Sequence, residues 1–237
     1  MRFGKFLVKE TESPTLTITV RTIILGLDTA TRLSGTRFRG PIVIPLISNL
    51  NEGEWSTFHE YLHELTDTGD WPMPRLRIVS SNDPSISDVI HNLSRGEILI
   101  MKVGSVPQEV WELLMNYSTL PPTVAGSSGS NFLRERGRPY FNTDHMELPE
   151  GLLPETQAEF RRACDAIVKP YRGADIESLG HTIIDSMDPQ SNLSRAFLLQ
   201  QHAQQTIADR VSTVLGWAGR EIARRRRVVS KRFHIKT

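Results

Sequence analysis

The chain has 237 residues, and its 28 Lys and Arg balance 27 Asp and Glu to a formal net charge of +1. A hydrophobic fraction of 38% and a charged fraction of 23% fit a soluble globule with room for one large domain or two small ones. No apolar run approaches the roughly 20 residues that span a bilayer. The opening Met1-Arg2-Phe3-Gly4-Lys5 lacks the long apolar core of a secretory signal, and the balanced charge names no partner.

Thr15-Leu16-Thr17-Ile18-Thr19-Val20 alternates with period two, and Arg21 to Leu27 continues in β-favouring residues. Residues 1–40 are therefore expected to form a β-rich extension that ends in loop from Gly35 to Gly40. From there strands and helices alternate. Pro41 to Ile47 reads as a buried strand, and Glu54 to Thr66 as an amphipathic helix with Trp55, Phe58, Leu62 and Leu65 on one face. A strand at Leu76 to Ser80, a helix at Ser85 to Leu93 and a strand at Glu97 to Val103 follow. Pro107 opens a helix over Glu109 to Tyr117. Pro122 to Ala125 is the fourth strand, Ser130 to Arg136 the next helix and Pro139 to Phe141 the fifth strand.

This alternation predicts an α/β fold: a Rossmann-like, mostly parallel sheet of about five strands with helices on both faces, spanning 41–150. After Pro154 the pattern is helical, over Glu155 to Val168, Ile176 to Met187, and Leu193 to about Arg227 with a break expected near Gly216 or Gly219. Residues 151–237 thus form a C-terminal helical segment with a basic tail. The single cysteine, Cys164, has no disulfide partner and is expected in a helix core. A reducing, cytoplasmic location is the matching expectation.

In open parallel sheets ligands sit beyond the carboxyl ends of the strands. The most informative such loop is Gly126-Ser127-Ser128-Gly129-Ser130-Asn131. Small residues let a ligand approach the backbone, and amides at the start of the following helix favour an anion. The same stretch also suits a tight strand-to-helix connection, and both readings stay open. Lys102, at the end of the third strand, is a candidate cation for a diphosphate. Asn49, Asn51, Glu52 and Gly53, after the first strand, are candidates for phosphate or hydroxyl contacts, and are also residues that turn chemistry selects. Of Arg134, Arg136 and Arg138, at most two are expected to reach such a ligand, and Arg138 is expected at the solvated surface. Asp144 and His145 follow the fifth strand and are the candidate general-base pair. His59 and His63 share a helix face without a third ligand, so no metal site is inferred, and no cofactor is implied.

The order of these features resembles the carboxy-terminal, donor-binding half of glycosyltransferases with the GT-B architecture. It has a polar, Gly-containing loop after the first strand (Ser48 to Gly53). The strand Ile98 to Gly104 leads into a helix that begins Val106-Pro107-Gln108. A Gly/Ser-rich turn and short helix then end in Gly137-Arg138-Pro139 before a strand. The resemblance covers about Pro41 to Arg227. It implies a nucleotide-sugar donor held at Gly126 to Asn131 with Lys102 and the Asn49 to Gly53 loop, an unnamed acceptor, and glycosyl transfer. Where many such enzymes hold the ribose with a glutamate seven residues before the motif's proline, this chain has Phe132, with Asn131 beside it. The acceptor half of the architecture does not fit in residues 1–40, so the resemblance implies a homo-oligomer, a second polypeptide, a reduced fold or a domain that has lost activity. Other readings stay open. The run Arg224 to Arg227 suits RNA or another anionic surface, and also a solvated helix end whose arginines complement the C-terminal dipole; the long terminal helix suits a non-catalytic interaction domain.

Overall fold

Apolar runs at residues 42–46 and 98–102 pair as neighbouring parallel strands in the computed structural model, which describes residues 13–34, 40–48, 50–67, 76–143, 148–169 and 174–233. Strands β1 (Ile42–Leu46), β2 (Leu76–Ser80) and β3 (Ile98–Lys102) form a parallel sheet in the order β1-β3-β2. Ile42 and Leu76 both stand opposite Ile98. Both outer strands flank β3, but every residue of β1 is buried, whereas β2 is half-buried along its length. Helices α2 (Glu52–Asp67) and α3 (Ile86–His91) connect the three strands.

Helix α4 (Gln108–Tyr117) leads to β4 (Thr123–Val124), α5 (Gly126–Arg134) and β5 (Phe141–Asn142). β4 and β5 make a separate parallel pair. The described residues are thus α/β, with a three-stranded parallel sheet and a separate two-stranded parallel one in place of a single hydrogen-bonded sheet of about five strands. Prolines explain why the second ladder is so short: Pro121, Pro122 and Pro139 flank its strands and supply no N–H donor.

The strand expected at Thr15 to Val20 is overturned. Residues Ser13–Ser34 are one helix, α1. Pro14 sits in its first turn, where a missing N–H costs nothing. Val20, Ile23, Ile24, Leu27 and Ala30 recur at helical spacing and are all buried. That stripe packs on α7 (Ile176–Met187), which packs in turn on α6 (Pro154–Val168). Burial of the stripe outweighs the β preference of the Thr, Ile and Val residues around it. The helices approach through glycine. A Cβ on Gly26 would lie 2.6 Å from Leu179 Cγ, and one on Gly180 would lie 2.8 Å from Thr29 Cγ2 and 3.1 Å from the Ala30 backbone nitrogen. The N-terminal helix therefore shares a layer with the C-terminal ones.

One apolar cluster runs from α1 through the strands to α6, α7 and the start of α8 (Asn192–Phe233). Rings join its far side: Phe160 lies against both Phe141 and Phe197, and Tyr140 against Phe197. The break expected near Gly216 or Gly219 is absent. α8 continues for 42 residues, about 63 Å at 1.5 Å per residue. Among the described residues no helix is long and apolar enough to cross a membrane.

Cys164 is buried in α6, and its thiol is pushed up to about 12, by burial and then by the charge of Asp165. The native protein is expected to resist a thiol reagent at pH 8 under conditions that label the guanidinium-unfolded chain completely. Rapid stoichiometric labelling of the native protein would remove Cys164 from the core.

Candidate functional site

The small-residue stretch was expected as a turn with its helix starting at Ser130. Instead α5 begins at Gly126, so Gly126 to Ser130 form its first turn. Gly126 has φ +76°, a conformation that favours glycine. Ala125, the preceding N-cap, is extended and has no polar side-chain atom with which to cap the helix itself. A helix start leaves its first amides without intrahelical partners and gathers partial positive charge. Ser127 and Ser128 are exposed there, while Gly129 and Ser130 face inward. A Cβ on Gly129 would lie 3.1 Å from Val124 Cβ, so the turn sits close against β4.

Asn142, the last residue of β5 and only 5% exposed, holds this turn. Its Nδ2 donates to Ser130 Oγ at 2.5 Å and to the Gly126 carbonyl at 3.3 Å, and Ser130 Oγ itself donates to the Gly126 carbonyl at 3.0 Å. The other end of α5 is equally defined. The Gly137 amide donates to the Arg134 carbonyl and the Arg138 amide to the Leu133 carbonyl, the paired bonds of a Schellman motif with Gly137 in the left-handed position. Arg138 is not a solvated surface residue. Its guanidinium donates to the carbonyls of Met115, Asn116 and Ser118 at the end of α4.

A groove of about 420 Å³ lies between α5 and α8, lined by Asn131, Glu135, Arg136, Gln204, Gln205 and Ala208. Ser128, Asn131 and Glu135 follow one another at helical spacing and are all exposed, so the first turn and the groove-lining residues share one face of α5. The Arg136 guanidinium lies 3.7 Å from the centre of the Phe132 ring, which orients it by a cation–π contact.

A second group sits at the carboxyl ends of β1 and β3. Lys102 Nζ lies 2.6 Å from Glu52 Oε1 and 5.4 Å from the centre of the Trp55 ring. Lys102 is therefore already engaged: its side chain is 13% exposed, and its partner carboxylate, 90% exposed, faces solvent. Asn51 is the N-cap of α2. Its Oδ1 accepts from the Glu54 amide at 3.0 Å, and the Glu54 carboxylate accepts from the Asn51 amide at 2.8 Å, a reciprocal capping box. Gly53 is exposed in the first turn of the same helix. The hydroxyls of Ser48, just beyond β1, and Thr143, just beyond β5, are buried without a hydrogen-bond partner among the described residues.

Asn49, Asp144 and His145 lie outside the described residues. Among the described residues no group of three or more His, Cys, Asp or Glu side chains could hold a metal ion. Asn142, Glu135, Gln204 and Gln205 belong to no motif that marks them in the sequence. Gln204 and Gln205 reach the groove only because α8 packs beside α5, which no local signal encodes. Comparison with protein-family models, with curated proteins and with solved structures finds no match for this chain.

Proposed function

We propose that this chain binds a nucleotide-sugar donor and acts in glycosyl transfer, in the manner of the donor-binding half of a GT-B glycosyltransferase. The observation that carries the reading is the small-residue first turn of α5, with Ser127 and Ser128 exposed and Asn142 bonded to Ser130 within it. The donor diphosphate would sit on the amides of this turn. The adjoining groove suits a ligand rich in hydroxyls, because Asn131, Gln204 and Gln205 each offer a donor and an acceptor, Glu135 adds acceptors and Arg136 adds donors. Lys102 and the Asn49 to Gly53 loop are the proposed second contact. Asp144 and His145 are the proposed base pair. Transfer would rest on positioning and on stabilising the departing nucleotide's charge.

Titration calorimetry against UDP and GDP is expected to give saturable binding to at least one of them. Ser128→Trp, an exposed substitution that fills the mouth of the turn, is expected to weaken it tenfold or more at unchanged thermal stability. No binding of either nucleotide by the folded protein, or full affinity in the Trp variant, would overturn the reading.

A further inference from the structure

Beyond the groove, α8 carries apolar side chains in the open. Val211, Val214 and Leu215 are 52%, 62% and 65% exposed. A side chain placed this way loses the favourable burial that an apolar group normally finds. The sequence of the helix continues the pattern. Val211, Leu215, Ala218, Ile222, Val229 and Phe233 follow at intervals of three, four or seven, which places them along one stripe of a helix. Arg220, Arg224, Arg227 and Lys231 follow at intervals of four and three, along a stripe on the opposite side. Between 216 and 233 there are seven Lys and Arg against one acid, Glu221.

We propose that this outer part of α8 docks on an anionic lipid bilayer, lying in the plane of its surface. An apolar stripe opposed by a basic face is the pattern of interfacial helices. The first enters the boundary of the acyl chains, and the second stays with the anionic headgroups. Two features of the helix speak against other occupants. Pairing with a second copy would need an unbroken seam with complementary charges beside it. Here Arg225 interrupts the seam between Ile222 and Val229, and the flanking charge is of one sign. Nucleic acid would engage the basic residues through phosphate but leaves the exposed Val211, Val214 and Leu215 unused.

Co-sedimentation of the full chain with vesicles tests this. Vesicles of 70% phosphatidylcholine and 30% phosphatidylserine are expected to bind it at least tenfold more tightly than pure phosphatidylcholine. Two double variants should each lose tenfold or more: Arg224→Gln with Arg227→Gln, and Val211→Ser with Leu215→Ser. The latter keeps every charge, and both change exposed or outer-helix positions, so unchanged thermal unfolding is expected. Failure of the wild type to bind the anionic vesicles overturns the proposal, as does full vesicle binding by the Val211→Ser, Leu215→Ser variant. A lipid-free dimer that this variant abolishes would assign the stripe to a second copy. Tighter binding to a single-stranded RNA 20-mer than to the vesicles, unchanged in this variant, would assign the helix to nucleic acid. These readouts contain no nucleotide-sugar, so they stand or fall separately from the proposed transferase reading.

Discussion

Replacing Arg138 with alanine is expected to lower stability by about 3 kcal/mol, read as a shift of the urea midpoint at pH 7. The carbonyls at the end of a helix lack intrahelical partners and carry partial negative charge. At the end of α4 the Arg138 guanidinium supplies donors to three of them, with bonds of 2.7 Å to Met115 and 2.6 Å to Asn116 and a third to Ser118. A hydrogen bond to a charged group contributes about 1.5–3 kcal/mol, and leaving a buried acceptor unpaired adds its desolvation cost. Three bonds from one side chain do not add in full. Burial lowers the pKa of Arg138, but an arginine remains charged across the neutral range, so the loss is expected to be the same at pH 6 and pH 8. Arg138→Lys should recover less than half of it, because an ammonium cannot fork to three carbonyls as a planar guanidinium does. A change of under about 0.5 kcal/mol in the alanine variant, within the range of ordinary surface substitutions, would show that the contacts are incidental.

Arg138 also marks where reading the sequence stops. Gly137-Arg138-Pro139 was legible as the end of a helix, and the Schellman bonds at Gly137 give the reason. Which way Arg138 turned was not legible, because its acceptors belong to α4, an element separated from it by β4 and α5. The same division holds elsewhere. β2 and α7 match the expected Leu76–Ser80 and Ile176–Met187, since short apolar strands and an Asp N-cap are local signals. Asp175 Oδ1 accepts from the Ser178 amide at 2.9 Å to cap α7. Thr15 to Val20 misled because a period-two run of β-branched residues was overridden by a stripe whose partner, α7, lies far along the chain. Gly216 and Gly219 misled in the opposite sense. Each costs a helix about 1 kcal/mol, which does not force a break. In the site, the small residues at Gly126 to Ser130 were legible as a place for backbone to meet a ligand. That Lys102 is paired with Glu52 follows from a contact between residues on different elements, whereas the cap at Asn51 has a local signal, the glutamate three residues on.

The two ends of α5 are thus fixed by different means, Asn142 at the first turn and the Schellman motif with Arg138 at the last. A binding turn gains from such support because little ordering remains to be done when a ligand arrives. Asn142 is in this sense a positioning residue, and its substitution separates the turn's geometry from its charge.

Asn142→Asp is expected to destabilise the protein by about 3 kcal/mol at pH 7, from burying a carboxylate with incomplete hydrogen bonding. The amide that donates to Ser130 Oγ and to the Gly126 carbonyl is replaced by an oxygen that faces the same carbonyl. Ser130 can turn its hydroxyl to the new carboxylate, but only by giving up its own bond to Gly126. Burial raises the folded-state pKa of the new carboxyl above its unfolded value. The folded form then holds the proton more tightly than the unfolded chain, so the penalty is full above the raised pKa. It fades as pH falls through that value toward the ordinary carboxylate range. The stability gap to wild type should therefore narrow between pH 7 and pH 5, whereas the gap for Asn142→Ala, about 1–2 kcal/mol for a lost buried hydrogen-bond partner, should not move with pH. A gap for Asn142→Asp that stays constant over this range would show the carboxylate turned out to solvent, and the turn held by something other than this side chain. If the turn receives a phosphate, the negative charge beside it should also weaken UDP or GDP binding at pH 7 far more than the alanine variant does, by tenfold or more against a few-fold.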